Sequence, residues 1–373
     1  MAIVSTRRAR HIGAGALALA ALTASLTACS ASDSNGSDAA EGDVPDGVLV
    51  DASTCERNRD AGTIVYVSGY GYSASAGQMD VFLADDLGYF EALCLDVEIN
   101  ASGANGQQLV GSGQAQFTAL GSASDVVLAA ANNDNLVAVA TYGTEPPFSI
   151  FANEKIESLK DLEGGSLGYF INLTPIASAM LDAADVDSSE VDMIKMTNYD
   201  PTVVTRGQVD AIVGYASNQP QTLRAMDESF TEFLPADVGV SGTYNVMEAN
   251  GEFLREHPEA AADFMRASLH ALQYCLDEED DCLDTLAEMA KDANQGDAFP
   301  REQLARTWAV ESEWVRNSAG GNPGVHTHAM WEPELEIVAK YGDISEIPAL
   351  EDMMDVDLVA DLYDGDELAW PAS

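Results

Sequence analysis

The stretch Thr63–Gln78, TIVYVSGYGYSASAGQ, decides how the chain begins to fold. Thr63 to Val67 is a β-branched and aromatic run that reads as a strand, and it feeds a loop of small residues. Inside that loop, Gly69-Tyr70-Gly71-Tyr72-Ser73-Ala74 fits G-x-G-x-x-G/A, the pattern that brings backbone close to a dinucleotide. Either the loop cradles a nucleotide or it walls another site. The residues around it choose between the two.

Downstream, AGQMDVFLADDLGYFEAL places Met79, Phe82, Leu83, Leu87 and Phe90 near helical spacing, with Gly88 as a stop signal. LDVEI is a second strand, ANGQQLVGSGQ a short helix and FTALG a third strand. SASDVVLAAANN opens on Ser/Asp capping chemistry and continues as a helix, and LVAVATYG is a fourth strand. A second unit repeats the pattern through SIFAN, SLKDLEGGSLGYF, TPIASAMLDAADV, VDMIKM, DPTVVTRGQ and VDAIVGY. From Gly251 the chain reads as mainly helical. Strand–helix alternation of this kind predicts an α/β fold with parallel sheets flanked by helices. About 320 structured residues are too many for one compact core, so two lobes are expected.

The N-terminus addresses the compartment. Arg7, Arg8 and Arg10 precede an apolar run from Ile12 to Ala28, which predicts a secretory signal over 1–28. Leu26-Thr27-Ala28-Cys29 resembles a bacterial lipobox, in which cleavage leaves a lipidated cysteine, here Cys29. Ser30 to about Ser53 is rich in Ser, Asp, Gly and Ala, and cannot bury enough apolar surface to offset its ordering entropy. The lipidated Cys29 and a flexible tether are therefore assigned to 29–60. The first lobe is assigned to 61–148 plus 247–373, and the second to 149–246.

Four cysteines remain in an oxidising compartment: Cys55, Cys94, Cys275 and Cys282. Three pairings are possible, of which 55–94 with 275–282 is favoured. Seven residues on a continuous helix rise about 10 Å, too far for a disulfide. A 275–282 bridge would require the helix to break at the acidic DEEDD.

The formal net charge is −45. Nucleic acid is excluded as a partner, because phosphate neutralisation needs basic residues. The acidic surface reads as solvating and self-repelling.

Four phrases, in order, are similar to one family: DVFLADDLGYFEALCLDVEI, LVGSGQAQFTALGSASDVVLAA, SLKDLEGGSLGY and RGQVDAIVGY. They resemble the periplasmic-binding-protein-like family that serves sulfonate, nitrate and thiamine-precursor ABC transporters. Cys94 stands where relatives carry glycine, which supports a 55–94 bridge. The resemblance implies a two-lobed type II periplasmic-binding-protein fold, each lobe a mainly parallel sheet flanked by helices, with a helical C-terminal segment. It also implies a monomer that closes on a small-molecule ligand and docks on ABC permease subunits, held to the membrane by its N-terminal lipid.

In open parallel sheets, ligands sit beyond the carboxyl ends of the strands. The side chains expected there are Tyr70, Tyr72, Ser122, Ser124, Glu145, Asn172, Thr174, Tyr215 and Asn218, with Tyr142 and Gln219 close by. Tyrosines sandwich flat rings and amides supply both donors and acceptors. Between Arg59 and Lys155 there is no Lys or Arg, so an anion would depend on backbone N–H groups. The expected ligand is a heteroaromatic compound resembling a thiamine-pyrimidine precursor or a flavin, with Glu145 accepting from an amine. The alternatives are an aliphatic sulfonate or nitrate-type anion, or a sensor outside transport.

No catalytic residue, cofactor or metal is expected. His326 and His328 in GVHTHAMW read as loop or surface residues. The pyrimidine-synthase chemistry of eukaryotic relatives in this family needs a Lys and a sacrificial His in the first lobe, and neither residue occurs between His11 and Lys155. The dinucleotide reading fails on compartment and on the lack of a catalytic group.

Overall fold

The computed structural model describes residues 47–101, 105–132, 135–198, 200–318 and 321–371. The predicted signal, Cys29 and the tether up to residue 46 lie outside the described residues. The tether assigned to 29–60 ends earlier than the composition suggests, because α1 (Ala52–Asp60) is an ordered helix. Asp51 caps it by accepting from the Thr54 amide at 2.7 Å. Cys55 is buried and bonded to Cys94. Asn58, also buried, donates its amide to Leu93 O and Asp263 Oδ2, both at 2.7 Å.

The chain continues through β1 (Thr63–Val67), α2 (Met79–Asp86), α3 (Tyr89–Ala92), β2 (Asp96–Asn100), α4 (Gly106–Gly111), β3 (Phe117–Leu120), α5 (Ala123–Ala130) and β4 (Leu136–Gly143). A crossover at 144–147 leads to β5 (Phe148–Asn153), β6 (Ser166–Tyr169), α6 (Pro175–Ala183), β7 (Asp192–Lys195), α7 (Thr202–Thr205), β8 (Ala211–Tyr215), α8 (Gln219–Ala225) and β9 (Phe230–Phe233). The chain then returns to β10 (Tyr244–Asn250).

Two five-stranded sheets result, ordered β2-β1-β3-β10-β4 and β7-β6-β8-β5-β9. Strands β1, β2 and β3 are mutually parallel, as are β6, β7 and β8. The strand fourth in each order follows a crossover and runs antiparallel to both neighbours. Each crossover thus contributes one reversed strand, and the sheets are mixed. The sequence reading assigned no strand to 244–250 and divided the lobes at 246/247, yet the pairing with β4 starts at Tyr244. YNVMEAN hides the strand because its two Asn and one Glu have low β-propensity, although every residue in it is buried.

The helical return is α9 (Gly251–Glu256), α10 (Pro258–Asp277), α11 (Glu279–Asp292), α12 (Arg301–Arg316) and α13 (His328–Tyr341). After α13 come the short α14 (Leu350–Met353) and a hairpin of β11 (Tyr363–Asp364) and β12 (Glu367–Leu368), so the tail is less helical than expected. The helix breaks at Glu278 (φ −119°, ψ 54°), inside the acidic DEEDD. There Cys275 and Cys282 are bonded with Cα atoms 5.5 Å apart.

In the first core, Phe264 of α10 stacks between Phe90 (5.2 Å) and Phe117 (4.2 Å). Burying each such ring contributes about 1.5–3 kcal/mol. α13 touches both halves: Trp331 and Val338 pack with Val126 and Val127 of α5, while Ile337 and Tyr341 pack on the second sheet's core.

Candidate functional site

The loop after β1 and the end of β8 belong to different sheets, and they meet. Tyr70 Oη lies 3.0 Å from Tyr215 Oη, with the rings edge to face and centroids 6.0 Å apart. Tyr215 also leans on Phe148 at 5.0 Å. Its hydroxyl sits where a β-carbon on Gly121 would lie, 2.6 Å away, so only glycine admits it there. A carboxylate oxygen of Asp125, in the first turn of α5, is 3.3 Å from the same point. Burial raises the Tyr215 pKa, and the neighbouring Tyr70 and then Asp125 raise it further.

The other expected residues divide between packing and surface. Tyr72 stacks on Phe82 at 4.7 Å and meets Phe299 edge-on, which makes it a packing residue. Helix α2 starts at Met79, well past the glycines, so no helix N-terminus follows the Gly-Tyr-Gly turn as a dinucleotide loop requires. Thr174 is the N-cap of α6, accepting from the Ala177 amide at 3.2 Å. Asn218 accepts from Gln303 at 3.3 Å and ties the β8–α8 loop to α12. Glu145 and Asn172 are exposed. Tyr142 and Gln219 are buried, the latter accepting from the Tyr215 amide at 2.8 Å. His326 is buried rather than on the surface. Its Nε2 must donate to the Asp355 carbonyl (2.9 Å), so Nδ1 accepts from Thr141, and burial pushes its pKa down to about 4. His328 opens α13.

The N-terminus of α5, where an anion would dock most readily, is already occupied from within. The Ser124 amide and hydroxyl donate to Glu334 Oε1 at 2.8 and 2.5 Å, and the Ala123 amide donates to Thr243 at 2.7 Å. Ser122 is the N-cap, with its hydroxyl buried and unpartnered. Glu334 also accepts from the Thr243 amide and hydroxyl at 2.8 and 2.7 Å. A second buried carboxylate, Glu311 of α12, joins both sheets' loops. It accepts from Ser75 (2.5 Å) after β1, from Ser217 (2.6 Å) after β8 and from Tyr244 at the start of β10. Burial pushes its pKa up to about 7.

Sequence reasoning missed Asp125, Glu248, Glu311 and Glu334. The signal was an acid on an apolar face. Glu311 lies between Trp308 and Val315, Glu334 between Trp331 and Val338, and Glu248 inside a wholly buried strand. Glu248 has no exposed surface, and neither carboxylate oxygen has a hydrogen-bond partner.

The family described as NMT1/THI5 like matches over residues 76–281. The formylaminopyrimidine-binding protein of Halalkalibacterium halodurans is 28% identical over 57% of this chain and 67% of its own length. The riboflavin-binding protein RibY of Chloroflexus aurantiacus is 26% identical over 49% of this chain and 53% of its own, so the match spans about half of that relative. Among solved structures, the periplasmic aliphatic sulphonate binding protein SsuA of Escherichia coli superposes with a TM-score of 0.58 at 11% identity, covering 78% of this chain and 91% of that one. That likeness shows the fold, a periplasmic-binding-protein fold of two mixed sheets flanked by helices.

Proposed function

The chain belongs to the NMT1/THI5-like family, and on that premise we propose that it is an exported lipoprotein that captures a small heteroaromatic solute for an ABC importer. Cys29 carries the lipid on the outer face of the cytoplasmic membrane, and the permease subunits receive the closed form. The two sheets act as lobes that swing about the crossovers at 144–147 and 239–243 and close on the ligand. Binding is the whole activity, and no covalent step is involved.

The contact of Tyr70 with Tyr215 carries this reading. Two tyrosines from opposite lobes meet at the carboxyl ends of β1 and β8, where a flat ring would be gripped by both. Occupation of the α5 N-terminus by Glu334 favours an uncharged ligand over a sulfonate or nitrate. The ligands for which the two relatives are named, a formylaminopyrimidine and riboflavin, are both planar nitrogen heterocycles, in keeping with the tyrosine pair.

A thermal-shift series on the processed protein, purified from its host and stripped of ligand, tests the proposal. A binder at about 100 times its Kd adds about 2.7 kcal/mol and raises Tm by several degrees. Riboflavin or 4-amino-2-methylpyrimidine should do so. A shift with propanesulfonate or nitrate and none with either heterocycle would overturn it.

A further inference from the structure

Glu248 is the one acid of β10, and its setting is unusual. In the sheet it lies opposite Thr118 of β3, and directly opposed residues share a face. That face looks toward α4: Thr118 Oγ1 is 2.3 Å from where a β-carbon on Gly106 would lie, which fixes the first turn of α4 over it. Gln107 follows Gly106, and its amide nitrogen donates to the Asp125 carbonyl at 3.2 Å. Gln107 therefore lies beside Glu248 and lowers its pKa by donating toward it, although no partner lies within hydrogen-bond distance of either Glu248 oxygen. The charge on Asp125 acts on both Glu248 and Tyr215 and raises both pKa values. Gln107 and Asp125 thus link the surroundings of Glu248 to those of Tyr215, whose hydroxyl meets that of Tyr70.

A buried carboxyl with no partner is costly to keep, by about 1–3 kcal/mol for an unmet group and more if ionised. None of the ion pairs among the described residues involves Glu248. We propose that Glu248 is the ligand-reading group of this site, a neutral carboxylic acid whose O–H and C=O pair with a neighbouring acceptor and donor on the edge of a planar heterocycle.

An aminopyrimidine offers such an edge as ring nitrogen plus exocyclic N–H, and an isoalloxazine offers it as carbonyl plus imide N–H. Desolvation is the largest influence on the Glu248 carboxyl and pushes its pKa up to about 8, which keeps the O–H in place at neutral pH. The role resembles that of a buried acid kept protonated so that it can donate. This inference rests on the heteroaromatic reading above and adds the residue that selects within that class.

The experiment compares two probes of nearly equal shape, 4-amino-2-methylpyrimidine and 2,4-dimethylpyrimidine, by ligand-observed NMR titration of the processed protein. The wild type should prefer the amino compound by about tenfold or more, since a buried partner is left unpaired by the methyl. Glu248→Gln keeps one donor and one acceptor and should retain the preference. Glu248→Met should bind both probes within about twofold of each other, while melting no lower than wild type because an unmet polar group has been replaced by an apolar one. Equal affinity of the wild type for the two probes would overturn the inference, as would a Met variant that still discriminates. Loss of the preference in the Gln variant would overturn the neutral-acid pairing and point to an ionised carboxylate binding a cation. If neither pyrimidine nor riboflavin binds the wild type while propanesulfonate does, the proposed function itself fails.

Discussion

Gly121 and Tyr215 fit each other where the loops of the two sheets meet. The backbone at Gly121 does not need the left-handed region, so Ala could be accommodated by the chain itself. What forbids it is the Tyr215 hydroxyl, 2.6 Å from the added carbon. Gly121→Ala should therefore leave the fold intact and weaken ligand binding by about tenfold, because the second lobe can no longer seat its tyrosine. Removing that hydroxyl with Tyr215→Phe should restore part of the loss in the double variant, a coupling read by a double-mutant cycle of Kd values. Strictly additive effects would show that the hydroxyl and Gly121 do not meet in the closed form. Of the expected tyrosines, Tyr70 and Tyr215 meet across the two sheets, and Tyr72 stacks on Phe82. Residue type and strand end were readable in the sequence. The direction of a side chain out of a loop was not, because it depends on distant partners such as Phe82 and Phe299.

At the scale of elements, the strand–helix alternation of both halves was legible because each strand has a short apolar run and each helix a cap or a spacing. β10 was not, since its burial comes from insertion between β3 and β4, a long-range event that composition does not encode. The acids Glu311 and Glu334 were hidden for the same reason: their donors come from loops more than sixty residues away in sequence. The N-terminal helix α1 shows a further physical reason. The bond between Cys55 and Cys94 ties it to the turn before β2, and Cys94 lies in the left-handed region (φ 61°). Glycine would take that conformation without strain, whereas any other residue is held there at a cost of about 1–2 kcal/mol. Replacing the pair by Cys55→Ala/Cys94→Ala should lower the unfolding free energy by about 2–4 kcal/mol in urea titrations. Cys55→Ala/Cys94→Gly should lose about 1 kcal/mol less. Equal losses in the two variants would show that the left-handed backbone carries no strain.

For the whole molecule, buried acids set the response to pH. Burial pushes Asp80 and Glu311 up to about 7 and Glu248 up to about 8. A carboxyl whose folded pKa lies above its unfolded value holds its proton in the folded state. Its stabilisation is present below about pH 4.5 and is lost as the pH rises through the folded value. His326 acts in the opposite sense: its folded pKa of about 4 lies below the unfolded value, so its contribution is present above about pH 6.5 and lost on acidification. The carboxyls outnumber it, and the net charge of −45 adds repulsion in the same direction. The urea midpoint should therefore fall between about pH 5.5 and about pH 8.5, and fall less steeply in Glu248→Gln. A midpoint that rises over this range would mean that these acids are ionised in the folded protein and paired with groups other than those described.

The central claim, that two lobes close a tyrosine-walled cleft on a planar nitrogen heterocycle, is tested most directly by what the protein carries from its host. The processed protein, purified without denaturation and examined by native mass spectrometry, should hold one small molecule per chain. On unfolding it should release a compound with the mass and ultraviolet absorption of a pyrimidine or flavin. Release of an aliphatic sulfonate or another non-aromatic anion would contradict the account.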